Sequence, residues 1–407
     1  MRPSRLSRRR IIAAGVAAAA LGSGRPARAA RYRGPGVSET EIRIGNTMAY
    51  SGNSAAYGAT GLAERAYFAM INRQGGINGR QITFLTRDDE LLPAKTVELT
   101  RQLVEQDDVL LMFSILGAAT NRAVRGYLND RRIPHLFCAS AVGLWSDYRN
   151  FPWTMGWAPS YFIEAHGFAA EIRRQRPNGR IAILHENTDL GRDFMGGFED
   201  ALGPDFAKKV VADATYDPPD PSVDSQIVSL YGSGADIFIN ISTAKFAAMA
   251  IRKAYDIGWR PLQFLTATSN SVAAVLAPAG FERANGVLAD AFLKDPTDPH
   301  WRDDPGVRGW LAWMKSYNPH ATVADMSNVG GYSQAQTLVE VLRRCGDDLS
   351  RANVMRQATT LQKLDLPMLL PGITINTSPT DYHPIRQLRM MRFDGKSWVL
   401  FGGLIEG

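Results

Sequence analysis

From residue 41 to the C-terminus, short apolar runs alternate with longer amphipathic stretches. Residues 41–48 read as a strand, and 55–74 as a helix with Ala63, Ala66, Tyr67, Met70 and Ile71 on one face. The turn Gly75-Gly76-Ile77-Asn78-Gly79-Arg80 leads into a strand over 81–86. A helix over 93–106, opened by a proline that the first turn tolerates, precedes strand 109–114. Helix 120–131 and strand 135–139 follow. The alternation then restarts, with helices over 161–176, 191–202, 223–232 and 245–257. Strands at 180–185, 209–216, 236–241 and 262–266 separate them. A third run adds strand 286–292 and helices 306–317 and 329–345. The tail, with strand-like 386–393 and 398–401 around an Asp394-Gly395 turn, reads as antiparallel. Strands alternating with helices give parallel sheets with right-handed crossovers, so the pattern predicts α/β architecture with two doubly wound parallel-sheet lobes.

The first 29 residues do not fit this pattern. They carry Arg2, Arg5, Arg8, Arg9 and Arg10, an apolar run over 11–21 too short to span a bilayer, and a small-x-small stretch Ala27-Arg28-Ala29. This is the layout of a cleaved export signal ending near Ala29 and Ala30, and Ser7-Arg8-Arg9-Arg10-Ile11-Ile12 fits the twin-arginine type. The expected compartment is the periplasm. Removing the signal changes the charge: the chain has 46 Lys+Arg against 40 Asp+Glu, and seven of those arginines fall in 1–29. The remainder is nearly neutral, which removes the basic surface expected of a nucleic-acid binder. No later segment has the roughly 20 apolar residues of a membrane span, so a soluble monomer is expected. The length left after the signal exceeds what one hydrophobic core usually organises, which supports two lobes. Cys138 and Cys345 have no partner at metal-ligand spacing and read as isolated buried thiols, with a disulfide as the alternative.

Catalytic patterns are missing. There is no nucleophile elbow, phosphate loop or dinucleotide fingerprint, and the six histidines are scattered. Asp88-Asp89 and Asp303-Asp304 read as solvated pairs or caps. The expectation is a binding protein without enzyme activity, metal or cofactor. Small polar loops at the strand C-termini, where open α/β sheets hold ligands, are the candidate site. The first is 49–58, with Ser51 and Tyr57. The second is 115–120, where Leu116, Gly117 and Ala118 open a helix whose free N–H groups suit a carboxylate. The third is 139–145, with Ser140, Ala141 and Gly143. An aromatic stretch, 151–161, lies where the first α/β unit gives way to the second and offers Met155, Trp157 and Tyr161 to a ligand between lobes. In the second unit the candidates are Asn187, Ser242, Thr243 and Thr268, with Lys245 either facing a ligand's charge or merely starting a surface helix.

At these residues the chain resembles the leucine/isoleucine/valine-binding family of periplasmic receptors. The resemblance rests on the Tyr-Ser-Gly…Tyr-Gly pattern within 44–58, on Ile71-Asn72…Gly75-Gly76-Ile77-Asn78-Gly79-Arg80, on Asp88-Asp89, and on 134–137 and 151–161. Val223-Asp224-Ser225-Gln226-Ile227 and Ile251-Arg252-Lys253-Ala254-Tyr255 complete it. It implies the type I periplasmic-binding fold: residues 40–158 plus 290–372 as one lobe, 159–289 plus 373–407 as the other, joined by a three-crossover hinge. It further implies a small-molecule ligand closed between the lobes and delivered to the membrane permease of an ABC importer; a periplasmic sensor of the same fold is the alternative. Members that hold an amino acid carry an acidic residue near Ala158 and a glutamate in the loop that here reads Thr266-Ala267-Thr268-Ser269-Asn270; both are replaced by uncharged residues. A buried ammonium without a counter-charge costs several kcal/mol. The resemblance therefore points to a small organic acid, aromatic bodies included, or a related branched-chain-type solute.

Overall fold

The computed structural model describes residues 31–407. The expected signal at 1–29, its twin-arginine pattern and its cleavage point near Ala29 and Ala30 lie outside the described residues.

Two sheets organise the chain. The first contains β1 (Glu41–Met48), β2 (Gln81–Asp88), β3 (Leu111–Phe113), β4 (His135–Cys138) and β5 (Thr154–Gly156), all parallel, in the order β2-β1-β3-β4-β5. The second takes β6 (Ile181–Glu186), β7 (Val210–Tyr216), β8 (Ile237–Ile241), β9 (Leu262–Leu265) and β10 (Leu288–Ala291) in the order β7-β6-β8-β9-β10. It is the same winding, used twice. An antiparallel pair, β11 (Gln387–Phe393) and β12 (Trp398–Glu406), extends the second sheet beyond β10. In each sheet the strand order reverses beside the first strand, at β1/β3 and at β6/β8, which makes the C-terminal ends of those strands the natural mouth of a ligand site.

The strand sequences explain the layering. Every residue of β3, β4, β6 and β8 is buried, because parallel strands inside a sheet are covered by helices on both faces. The edge strands β2 and β7 are only partly buried. Leu103, Met112, Val124 and Leu128 pack on one face of the first sheet, and Phe168, Phe194, Phe198 and Ile239 on one face of the second. After β10 the chain leaves the second sheet to lay helices Pro305–Tyr317 and Met326–Arg344 against helix Gly58–Arg73 of the first, then returns at β11. Trp310, Trp313, Leu338 and Ile385 join Phe68, Phe113 and Leu136 in one core through this excursion.

Several elements differ from the sequence pattern. Three-residue β5 lies inside the aromatic crossing, where the sequence pattern predicts no strand. The start of the helix expected from residue 55 is a 3-10 turn, Ala55–Tyr57, and the α-helix proper begins at Gly58. Helix Arg351–Ala358, unread in the sequence, starts at Ser350, whose hydroxyl accepts the Asn353 N–H at 3.3 Å. Both cysteines are free and buried, and burial pushes the Cys345 thiol up to about 12. Among the described residues no helix is long and apolar enough to cross a membrane, and no group of three or more His, Cys, Asp or Glu could hold a metal ion.

Candidate functional site

A cavity of about 450 Å³ lies between the C-terminal ends of the two sheets. Its walls are predominantly apolar and come from both halves of the chain: Leu91, Leu116, Trp157 and Phe292 from one side, and Leu190, Ala244 and Val275 from the other. Among the described residues, no Lys, Arg or His lines it.

The loop after β3 turns directly into a helix at the cavity wall. Gly117 has a φ of 93°, a conformation that suits glycine, and a Cβ there would meet Leu91 Cδ1 at 2.4 Å and Thr120 Oγ1 at 2.9 Å. Helix Ala118–Asp130 begins at once, with no side chain capping it, so the N–H groups of Ala118, Ala119 and Thr120 lack an intrahelical acceptor. Ala118 and Ala119 line the cavity. Such a helix start holds a carboxylate well. Beneath it, Asn121 donates to the Ile115 carbonyl at 2.7 Å and pairs with His135 Nε2 at 2.7 Å. Burial drives the His135 pKa down to about 3, so this imidazole is a neutral brace and carries no acid–base function at the cavity.

Tyr57 joins the two halves across the cavity, while Tyr161 makes its hydrogen bond within the second half. The Tyr57 hydroxyl accepts the Ala244 N–H at 2.9 Å and donates to the Thr268 carbonyl at 3.2 Å. The Tyr161 hydroxyl pairs with Thr268 Oγ1 at 2.9 Å. Tyr161 opens its helix directly after the crossing, because Ser160 caps it by accepting the Ile163 N–H at 3.3 Å. Outside the cavity, Arg122 grips the Asp189 carboxylate through two nitrogens, the Nη2 contact at 2.7 Å. Burial alone would raise the Asp189 pKa, but the hydrogen bonds of Arg122 and Arg192 outweigh it and hold the group below the ordinary carboxylate range. Gly143 N–H donates to Asp193 Oδ2 at 3.1 Å, and Asn53 Nδ2 to the Pro218 carbonyl at 2.9 Å. These contacts join the two halves beside the cavity.

The structure brings Tyr57, Leu116, Gly117, Ala118, Ser140, Ala141, Trp157, Tyr161, Thr243 and Thr268 together on the cavity wall. Trp157 is anchored from behind: its indole N–H donates to Thr337 Oγ1 at 3.0 Å, and its ring packs edge-on to Phe292. Six expected residues lie off the cavity wall. Ser51 is exposed and donates to Asp88 Oδ2 at 2.5 Å, Gly143 turns its N–H to Asp193, and Asn187 donates to Asp217 Oδ1 at 3.1 Å on the surface. Each sits on an expected loop, but one residue of offset at a strand end turns a group away from the cavity. Met155 is buried in the core. Ser242 is buried and absent from the cavity wall. Lys245 reaches across to Asn53 Oδ1 at 3.0 Å at the exposed rim.

The largest correction concerns charge. The sequence comparison covers only the positions near Ala158 and in loop 266–270, which are uncharged, yet Glu164, Glu186 and Asp290 line the cavity from other elements. They come from a helix, the end of β6 and the middle of β10, not from the loops compared in the sequence. Glu186 is well satisfied: Thr188 Oγ1 donates to it at 2.9 Å, the Tyr216 hydroxyl at 3.2 Å and Thr243 Oγ1 at 3.4 Å. Glu164 accepts Thr266 Oγ1 at 2.8 Å and the Ala267 N–H at 2.6 Å. Burial raises the pKa of both above the ordinary carboxylate range, and raises that of Asp290 well above it with Glu164's charge adding to the effect. A sequence signal existed for Asp290 alone, a lone acid inside the apolar run 287–293.

The family profile described as periplasmic binding protein matches residues 41–397. A Leu/Ile/Val-binding protein homolog 7 from Brucella abortus is 21% identical over 330 residues, covering 78% of this chain and 80% of that protein. Among solved structures, a branched-chain amino acid ABC transporter protein from Thermus thermophilus with bound valine superposes with a TM-score of 0.81 at 16% identity, over 91% of this chain and 98% of that one. A fatty acid ABC transporter substrate-binding protein from Thermomonospora curvata gives 0.77 at 18% identity, over 93% and 95%.

Proposed function

The chain belongs to the periplasmic binding protein family, a group of transporter substrate-binding proteins that are not enzymes, and from that premise we propose that it captures a small solute with a substantial apolar body and hands it to the permease of an ABC importer. The observation that carries this reading is the mostly apolar cavity whose wall comes from the ends of both sheets and is bridged by the Tyr57 hydroxyl. The two lobes of the reading are 40–158 with 290–372, and 159–289 with 373–407; the cut at 289/290 falls inside β10, which pairs within the second sheet, and so moves to just after Ala291. Residues 1–29 direct export to the periplasm.

Size and polarity narrow the solute. The cavity is about three times the ~150 Å³ apolar cavity that admits benzene, so it takes a body larger than a branched aliphatic side chain. The uncapped helix start at Ala118 receives a carboxylate. An organic acid with an aromatic or extended aliphatic body meets both conditions, and a branched-chain-type solute meets the second. Affinity comes from desolvating the apolar body in the closed cleft, and closure reports occupancy to the permease.

The test is thermal unfolding of the purified protein with matched pairs: phenylalanine and 3-phenylpropionate, leucine and 4-methylpentanoate, with coumarate alongside. A solute at about a hundred times its dissociation constant stabilises the fold by roughly 2.7 kcal/mol, a readily measured rise in Tm. At least one carboxylate-bearing member is expected to give that rise. A flat response to the whole panel contradicts the reading.

A further inference from the structure

The cavity wall reaches the surface at Ala56, Leu92, Pro93 and Pro219, so every wall residue that is exposed is apolar. Leu92, at 50%, is the most exposed large apolar side chain among the described residues. The loops that carry these residues adjoin at one rim: Asn53 Nδ2 donates to the Pro218 carbonyl at 2.9 Å, and a Cβ at Gly52 would lie 3.7 Å from Glu90 Cβ. A lone exposed leucine is ordinary, but this one is held where leucine fits poorly. It occupies the N-cap of helix Pro93–Glu105, where Asp, Asn, Ser or Thr would accept a helix N–H and leucine cannot. The two residues before it, Glu90 and Leu91, have φ of 55° and 61°, a left-handed conformation uncommon for such side chains. Asp88 Oδ1 holds that turn by accepting the Glu90 N–H at 3.1 Å, and Asp89 Oδ1 by accepting the Leu91 N–H at 2.9 Å. The turn sets Leu91 on the wall beside Gly117 and leaves Leu92 at the opening. Backbone outliers of this kind persist where the surroundings impose them, and they gather at ligand clamps.

We propose that Ala56, Leu92 and Pro93 from the first half, with Pro219 from the second, form an apolar lip that carries the far end of an extended aliphatic chain, so that the receptor takes organic acids whose chain projects from the cavity. This inference rests on the receptor reading and narrows the solute that reading describes. Leu91 supplies the continuity. It lines the cavity beside Gly117, one residue before the helix start at Ala118, and leads from there to Leu92. A chain laid along this track covers Leu92 and Pro219 and removes their apolar surface from water. A capping residue at position 92 would put a polar group in its path. Selection then falls on the apolar character of the chain and tolerates its length, because the lip opens to solvent where a closed wall would clash.

Titration calorimetry with 4-methylpentanoate, hexanoate, octanoate and decanoate tests the lip. Affinity should rise by about fourfold for each added methylene that leaves water, and the rise should continue to decanoate. Leu92→Asn is expected to weaken decanoate by about three- to tenfold, the scale of losing half a leucine's burial. Its 4-methylpentanoate affinity is expected to stay unchanged. Without solute, Leu92→Asn is expected to melt at or above the wild type, because asparagine supplies the missing cap. Pro219→Ser provides the second variant, with the same direction expected for decanoate. A merely structural leucine does not combine a retained or raised Tm with a loss confined to the long acids. Unchanged decanoate affinity in both variants, or a loss shared equally by 4-methylpentanoate, overturns the lip. Affinity that falls beyond hexanoate confines the chain to the cavity; it overturns the lip and leaves the receptor reading standing. Binding of phenylalanine or coumarate with no response to any of the four acids has the same consequence. Failure of all these probes at millimolar concentration overturns both.

Discussion

Tyr57→Phe isolates closure from folding. The Tyr57 hydroxyl joins elements of the two halves, accepting the Ala244 N–H at 2.9 Å and donating to the Thr268 carbonyl at 3.2 Å. Ala244 is the first residue of helix Ala244–Asp256, so its N–H has no intrahelical acceptor, and Thr243 does not cap it with its side chain. Removing the hydroxyl leaves that N–H buried and unpaired, at a cost of about 1–3 kcal/mol. The Thr268 carbonyl is less costly, since a carbonyl tolerates an empty lone pair better than an N–H tolerates lack of an acceptor. When the halves separate, both groups return to water in wild type and variant alike. The penalty therefore falls on the closed state alone and weakens solute affinity by roughly 5- to 150-fold. Most of that loss should appear as faster dissociation. Calorimetry with the tightest solute of the panel gives the affinity, and urea unfolding without solute gives the stability. A weakened Kd with an unchanged urea midpoint is the expected pair of results. An unchanged Kd, or a midpoint lowered by the full penalty, refutes the assignment of this hydroxyl to closure.

Two further outcomes follow from the same geometry. Gly117→Ala forces a side chain into a left-handed conformation and against Leu91 Cδ1 and Thr120 Oγ1, so it costs about 1–2 kcal/mol in backbone strain and displaces the helix start; carboxylate-bearing solutes should lose affinity in calorimetry, and full retention contradicts the anion seat. Asp193 is a carboxyl that burial raises to about 6, despite the Gly143 N–H that opposes the shift. The folded chain therefore keeps a proton that the unfolded chain releases, and this contribution to stability is present at low pH and lost as pH climbs from about 4 through about 6. Thermal unfolding of Asp193→Asn across that range should show the variant gaining on the wild type as pH rises, then a constant difference; parallel curves contradict the assignment.

Much of the architecture was legible because parallel sheets write themselves plainly. Fully buried runs such as Ile181–Glu186 and Ile237–Ile241, separated by amphipathic helices, leave little choice of fold class. The shortest strand was not legible, since Thr154–Gly156 is three residues and sits among aromatics that a hinge would also carry. The site was legible at the level of loops, because small residues at strand ends follow from the need for tight βα turns beside a ligand. It was not legible at the level of single side chains. Ser51 and Tyr57 share a loop, yet one is tied to Asp88 at the surface and the other closes the cavity. The acidic residues escaped because tertiary packing brings Glu164 and Asp290 together from 126 positions apart in the chain. Neither has a local pattern that announces a partner, and only the burial of an acid within an apolar strand hinted at Asp290.

The central claim is that two halves close on a solute, and small-angle X-ray scattering of the purified protein tests it most directly. Scattering would be recorded without solute and with a saturating amount of whichever panel member raises Tm. The account predicts a smaller radius of gyration with solute, matching the closed form in which Tyr57 reaches Ala244 and Arg122 reaches Asp189. A radius of gyration that stays the same while the solute is bound contradicts closure, and with it the proposal that occupancy is signalled to a permease.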